Sequence, residues 1–278
     1  MSGLTLGANT FSYIYKRGVL DSLQHLGKMG FREFEILVAQ PHFWATDFSA
    51  EERRDIPKVL ANEGLHITSV NIPGIDNNIV SGTREMREFT IKVLSDLVDI
   101  CGDWKIPYCI FVPGRTTPLF PIPKEQLMEW FVEGLTRLAE RASDQGVTIL
   151  IENVPNSWIP RAENIMEAID AVARDDIGVI YDVANAPFAG EDPCEGVKIV
   201  KDHLKLVHLS DTHKNSWRHD PIGMGDVAFA DFKNVLDELE YKGISMMEII
   251  TQNPDFHFIE GRKKLVEMGW VGSPETVR

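Results

Sequence analysis

Short runs of β-branched and aliphatic residues alternate along the chain with longer stretches in which apolar residues recur every three or four positions. Runs of the first kind suit strands buried on both faces, and stretches of the second kind suit helices buried on one, so their alternation predicts parallel strands joined by covering helices. Eight strands are expected, at 4–9, 33–37, 67–72, 108–112, 148–153, 178–182, 205–210 and 245–250. The clearest helical stretches are 84–101, where Met86, Phe89, Val93, Leu97 and Ile100 share a face, and 126–145, with Leu127, Trp130, Phe131, Leu135, Leu138 and Ala142. Gly30, Gly64, Gly146 and Gly243 each stand where a helix gives way to the next strand, and each is expected to take the left-handed cap conformation that glycine adopts at no steric cost. Eight strand–helix units of about 35 residues fit a (β/α)8 barrel of the α/β class. No Gly/Ser/Pro-rich linker divides the chain, so residues 1–278 are read as one domain.

A doubly wound open sheet would carry a glycine-rich phosphate loop after its first strand, and Gly7-Ala8-Asn9-Thr10-Phe11-Ser12 is not one. The P-loop, nucleophile-elbow and His-Glu-x-x-His patterns are also missing from the sequence. Charge narrows the partners: 28 basic residues against 42 acidic ones give a net charge of -14, which repels phosphate backbones and anionic headgroups. Neither nucleic acid nor a membrane is therefore an expected partner. The cysteines, Cys101, Cys109 and Cys194, form no Cys-x-x-Cys pair and imply a reducing, cytoplasmic setting. Apolar runs such as 147–151 and 177–181 fall far short of the ~20 residues of a membrane span. The opening Met-Ser-Gly-Leu-Thr-Leu lacks the charged-then-apolar pattern of a secretion signal.

In a parallel barrel the reactive groups gather where the strands end, so polar residues that close apolar runs carry the information. The last four predicted strands each offer one: Glu152, Asp182, His208 and Glu248. Taken singly, each glutamate can cap a helix or pair with a lysine, Asp182 can begin a turn and His208 can be a hydrogen-bonded core residue. Taken together, three neighbouring buried carboxylates require a compensating cation. Three carboxylates and an imidazole suit one divalent ion, Mn2+ before Mg2+, Co2+ or Zn2+.

With these residues in view, the chain resembles the xylose-isomerase-like TIM barrels, a group of sugar isomerases and epimerases that includes apurinic-site endonucleases and keto-inositol dehydratases. The resemblance runs through Asn9-Thr10-Phe11-Ser12, Gly30-Phe31-Arg32-Glu33-Phe34-Glu35, Ile151-Glu152-Asn153, Tyr181-Asp182, Val207-His208-Leu209-Ser210-Asp211, Ile222-Gly223-Met224-Gly225-Asp226 and Met247-Glu248-Ile249. It implies that Glu152, Asp182, His208 and Glu248 bind the metal. It further implies that Glu152 and Glu248 are the catalytic acid/base pair, moving a proton through a metal-bound enediolate of a small carbohydrate substrate. Return of that proton to the neighbouring carbon isomerises, and return to the opposite face epimerises.

The chain departs from the ketose 3-epimerase pattern, which has a glutamate where Trp158 stands and a histidine at the position of Asn185. A metal-dependent dehydratase or lyase acting on a keto-sugar or keto-inositol is therefore the alternative. In that reaction His213, Lys214, Arg218 or His219, on the long segment after the seventh strand, would supply an acid or grip an anionic substrate. Glu35 and Asn71 are expected either to face the substrate from the second and third strands or to make structural hydrogen bonds, Trp44 and Trp158 either to form an apolar wall over it or to pack in the core, and Asn185 to border it. Arg115, in Val-Pro-Gly-Arg, is a candidate for a carboxylate or phosphate. The tail after Trp270 is open to two readings, disorder or packing on a second copy in a homo-oligomer.

Overall fold

The computed structural model describes residues 4–272. Eight parallel strands close into a barrel: β1 (Leu6–Asn9), β2 (Glu33–Leu37), β3 (His66–Ile72), β4 (Tyr108–Phe111), β5 (Thr148–Glu152), β6 (Ile177–Asp182), β7 (Leu204–Leu209) and β10 (Ile244–Met247). Each pairs with its sequence neighbour, and β10 closes the ring on β1 through Leu6–Ser245, Gly7–Met246 and Ala8–Met247. This is the predicted architecture, with strand boundaries within three residues of the expected ones at every end.

Covering helices α1 (Val19–Lys28), α2 (Ala50–Asn62), α3 (Arg84–Trp104), α4 (Lys124–Gln145), α5 (Ala162–Val172), α7 (Pro193–Ile199), α8 (Phe229–Glu238) and α9 (Pro254–Glu267) surround the barrel, and a single turn, α6 (Asn185–Phe188), follows β6. The α3 face predicted to be apolar buries Val93, Leu97 and Ile100, whereas Met86 and Phe89 at its start are exposed. Inside the barrel, Ile110, Leu150, Ile180 and Leu206 from the adjacent strands β4, β5, β6 and β7 form a separate apolar cluster.

Two local expectations change. Gly30, Gly64 and Gly146 have φ of +93°, +65° and +70°, as a left-handed cap requires, but the corresponding position after α8 is taken by Glu240 at φ +53°. Gly243 answers a different need. A Cβ there would lie 2.2 Å from the Lys205 carbonyl oxygen and 2.3 Å from the Tyr241 hydroxyl, so the glycine admits β10 beside β7. Gly243→Ala is expected to cost about 1–3 kcal/mol, since the nearest obstacle is backbone. An unchanged urea midpoint would contradict this account.

The segment after β7 is not a loose loop. Asp211–His213 (β8) and Ser216–Asp220 (β9) form a two-stranded antiparallel ribbon turning at Lys214-Asn215. Val271, after Trp270, pairs with the barrel through Leu4 and Leu6. The remainder of the tail, from residue 273 onward, lies outside the described residues. No helix among the described residues is long and apolar enough to cross a membrane.

Candidate metal centre and cleft

The backbone brings the last four barrel strands to a common level. Asp182 pairs with His208 across β6 and β7, and the Asn153 side chain extends this ladder, accepting from the Asp182 amide at 2.7 Å and donating to the Asp182 carbonyl at 3.0 Å. Glu248, just beyond β10, is held by its amide, which donates to the Leu209 carbonyl at 3.1 Å. As a result one ligand atom each from Glu152, Asp182, His208 and Glu248 lies within 4.8 Å of all the others. All four residues are buried.

His208 organises the cluster. Its Nε2 meets Glu35 Oε1 at 2.8 Å, and its Nδ1 faces Glu248 Oε2 at 3.2 Å, Glu152 Oε1 at 3.3 Å and Asp182 Oδ2 at 3.7 Å. Asp182 divides its two oxygens: Oδ1 accepts from the amides of Ala184 at 2.6 Å and Asn185 at 3.1 Å. Oδ2 is fully buried and has no hydrogen-bond partner. A buried carboxylate oxygen left unpartnered is costly, and this one points into the centre of four convergent ligand atoms. The donor set, its spacing and that orphaned oxygen fit a divalent cation, with Nδ1 as the imidazole ligand and Nε2–H donating to Glu35.

Crowding of charge shifts the protons. Burial pushes the Glu248 carboxyl well above the usual carboxylate range, and the charges of Glu152, Asp182 and Glu35 reinforce this against His208. Burial alone would lower the His208 pKa, but the charges of Glu248 and Glu35 outweigh it and raise that pKa well above its ordinary value. Burial also works against the Glu35 carboxylate, yet the His208 charge, with hydrogen bonds from His208, Ser69 and Asn9, holds its pKa low. The protein thus balances the cluster with protons that a cation would replace. Titrating Mn2+ into metal-free protein near neutral pH, in buffers of different ionisation enthalpy, should show release of at least one proton per ion. Affinity should rise with pH, and a buffer-independent heat would exclude this exchange.

A cleft of about 470 Å3 opens over the cluster, and Glu152, Glu248, Asn71, Asn185, Arg115, Arg218 and His219 all line it. Asn71 and Asn185 donate to opposite oxygens of Glu152, each at 3.4 Å. His219 is carried over the cluster by the β8–β9 ribbon, whose His219 carbonyl accepts from the Ile250 amide at 2.8 Å. Its Nδ1 is 3.3 Å from Glu248 Oε2 and 3.6 Å from Asp182 Oδ2. Arg115 donates to the Ile75 carbonyl, and Arg218 pairs with Asp220 at 2.8 Å.

Five residues considered for the substrate side stand elsewhere. Glu35 lies beneath the mouth, fully buried, and accepts from Asn9 at 2.6 Å and Ser69 at 2.6 Å besides meeting His208; it positions that imidazole and does not line this cleft. Trp158 turns into the core, its indole N–H donating to the Pro113 carbonyl at 3.0 Å and its ring lying edge-on to Phe131. His213 sits on the half-exposed outer end of the ribbon against Asp226, 3.2 Å away, and Lys214 beside it lines a separate hollow. Trp44 packs against the hydrophobic core.

Two contributors are absent from the expected site residues. Asn9 bridges Glu35 and Glu248, donating to the latter at 3.1 Å, and its place at the end of the first strand is the same signal that marks the four cluster residues. Trp217 lines the cleft and donates its indole N–H to Asn185 Oδ1 at 2.6 Å, so it braces the amide that faces Glu152. Nothing in the sequence signals that contact before the ribbon is known.

The profile of the xylose isomerase-like TIM barrel family matches residues 23–268. The chain belongs to that family. Within the family it is 23% identical over 240 residues to a putative L-ribulose-5-phosphate 3-epimerase of Escherichia coli, covering 81% of this chain and 83% of that one. It is 24% identical over 175 residues to an inosose dehydratase of Clostridium perfringens, covering 54% of this chain and 59% of the dehydratase. The match to an uncharacterised protein of Methanocaldococcus jannaschii spans 63% of that protein's length. Among solved structures, a D-tagatose 3-epimerase-like protein superposes with a TM-score of 0.82 at 20% identity, covering 95% of this chain and 96% of its own. The relatives include enzymes of sugar metabolism; at these identities the structural likeness speaks for the fold.

Proposed function

We propose that the protein is a divalent-metal-dependent epimerase or isomerase of a small hydroxy-carbonyl carbohydrate or its derivative. The observation that carries this reading is the unpartnered, buried Asp182 Oδ2 at the focus of Glu152, Asp182, His208 and Glu248, directly under an open cleft. These four residues would hold the ion, manganese by our preference, and its Lewis acidity would stabilise negative charge developing on a substrate carbonyl oxygen. Glu152 and Glu248, both on the cleft wall, are the groups that take and return the proton on the carbon beside that carbonyl. Asn71 and Asn185 hold the Glu152 carboxylate between them, so the base is oriented before substrate arrives.

A second reading has its own support. His219 borders both the cleft and Glu248, and can protonate a departing hydroxyl after the same proton abstraction, which would make the reaction a dehydration. The relation to an inosose dehydratase favours the same chemistry.

Elemental analysis of protein purified without added metal, followed by a panel of ketoses, keto-acids and keto-inositols in deuterated water with the ion restored, separates the readings. Epimerisation or isomerisation gives an isomer of the substrate, carrying deuterium when the abstracted proton exchanges with solvent. Dehydration gives a product lighter by one water. Absence of bound metal together with no deuterium uptake or turnover across the panel would refute both.

A further inference from the structure

The cleft has two unlike halves. The ends of β5, β6, β7 and β10 and the segments after them contribute most of the ionisable groups, Glu152, Arg218, His219, Asp220 and Glu248, together with Trp217, whereas β1 to β4 and the segments after them contribute mainly apolar ones, Phe11, Leu37, Pro73, Ile75 and Val112. The apolar half is built tightly. Gly74 lets its loop press on β4, since a Cβ there would lie 2.9 Å from Val112 Cβ. The polar residues on this side are largely engaged with the protein: Asn71 reaches down to Glu152, and the Arg115 guanidinium is drawn to the Ile75 carbonyl. Ile75 is 67% exposed and Ile250, closing the wall from β10, is 42% exposed, although both line the cleft. Apolar side chains held open to water beside a reactive site are the usual mark of a surface that a ligand covers.

A free ketose presents a hydroxyl on nearly every carbon, and hydroxyls pressed against such a wall would lose water without gaining partners. A volume of about 470 Å3 is also in the range of drug-sized ligands rather than the minimum for one sugar ring. We infer that the substrate is amphipathic: a hydroxy-carbonyl group faces the Glu152–Glu248 side while an apolar substituent, aromatic or alkyl, lies against Phe11, Leu37, Ile75 and Val112. This rests on the proposed function for the polar end and adds the chemical class of the other.

The test compares 1-hydroxypropan-2-one, 1-hydroxy-4-phenylbutan-2-one and D-fructose by titration calorimetry on metal-free and manganese-loaded protein. The first two share one hydroxy-ketone and differ in the apolar group. The phenyl compound should bind at least tenfold more tightly than either of the others, and in Ile75→Asp, a change at an exposed position that leaves folding unaffected, most of that advantage should vanish. Equal affinities, tighter binding of fructose, no saturable binding of the phenyl compound, or an advantage that survives Ile75→Asp would each overturn the inference. The phenyl advantage is a ratio that should hold with and without manganese. If manganese fails to strengthen binding of the shared hydroxy-ketone, the functional reading falls while the apolar wall stands.

Discussion

Glu152→Gln is expected to leave the protein folded and to lower turnover by about 10²–10⁴-fold, the range associated with loss of a general base. The substitution preserves volume at a buried position, and the amide oxygen can still accept from Asn71 or Asn185. What it removes is the capacity to bind a proton, together with one negative charge in the cluster that faces His208 Nδ1 at 3.3 Å. Deuterium uptake into substrate reads the proton transfer directly, circular dichroism reads the fold, and metal analysis of the same sample separates a lost base from a lost ligand. A variant that keeps its metal and works within about threefold of the parent would remove Glu152 from the chemistry.

The legible and the illegible parts of the site differ for a physical reason. Barrel strands buried on both faces are nearly continuous apolar runs, so a polar residue at the end of one stands out against its neighbours, and the four cluster residues, like Asn9, are of that kind. Glu35 is different. It sits in the middle of Glu-Phe-Glu-Ile-Leu, where a carboxylate reads equally as a substrate contact or as a structural hydrogen bond until the pairing of strands is known. Register places Asn9 opposite Glu35 across β1 and β2, and Ser69 opposite it across β2 and β3, so its partners are set by tertiary pairing alone. Gly243 misled for a related reason: glycine answers either a backbone angle or a close approach, and only the Lys205 carbonyl beside it tells which. The ribbon was hidden because Thr212, Ser216 and His219 lack the apolar alternation of a strand, its inner contacts being hydrogen bonds such as Thr212 to the Ser216 carbonyl at 2.8 Å.

Glu35 is also where the largest loss of stability is expected. Its carboxylate accepts from Asn9, Ser69 and His208 in a place that no water reaches, and those three side chains come from three other strands of the ring. Truncation in Glu35→Ala strands the Ser69 hydroxyl, leaves Asn9 only its bond to Glu248, removes the 2.8 Å counter-charge of the His208 imidazole, and opens a void between β1 and β3. Breaking a buried charge pair in this way costs about 3–5 kcal/mol, which urea denaturation of the metal-free protein would register as a much lower midpoint. Glu35→Gln tests the second role separately. It keeps the volume and one acceptor but replaces the charge that fixes the Nε2–H tautomer, so the variant should fold and bind Mn2+ about 10–100-fold more weakly, as losses of such outer partners typically do. Parental stability in Glu35→Ala together with parental metal affinity in Glu35→Gln would mean that His208 is oriented by something other than the carboxylate beneath it.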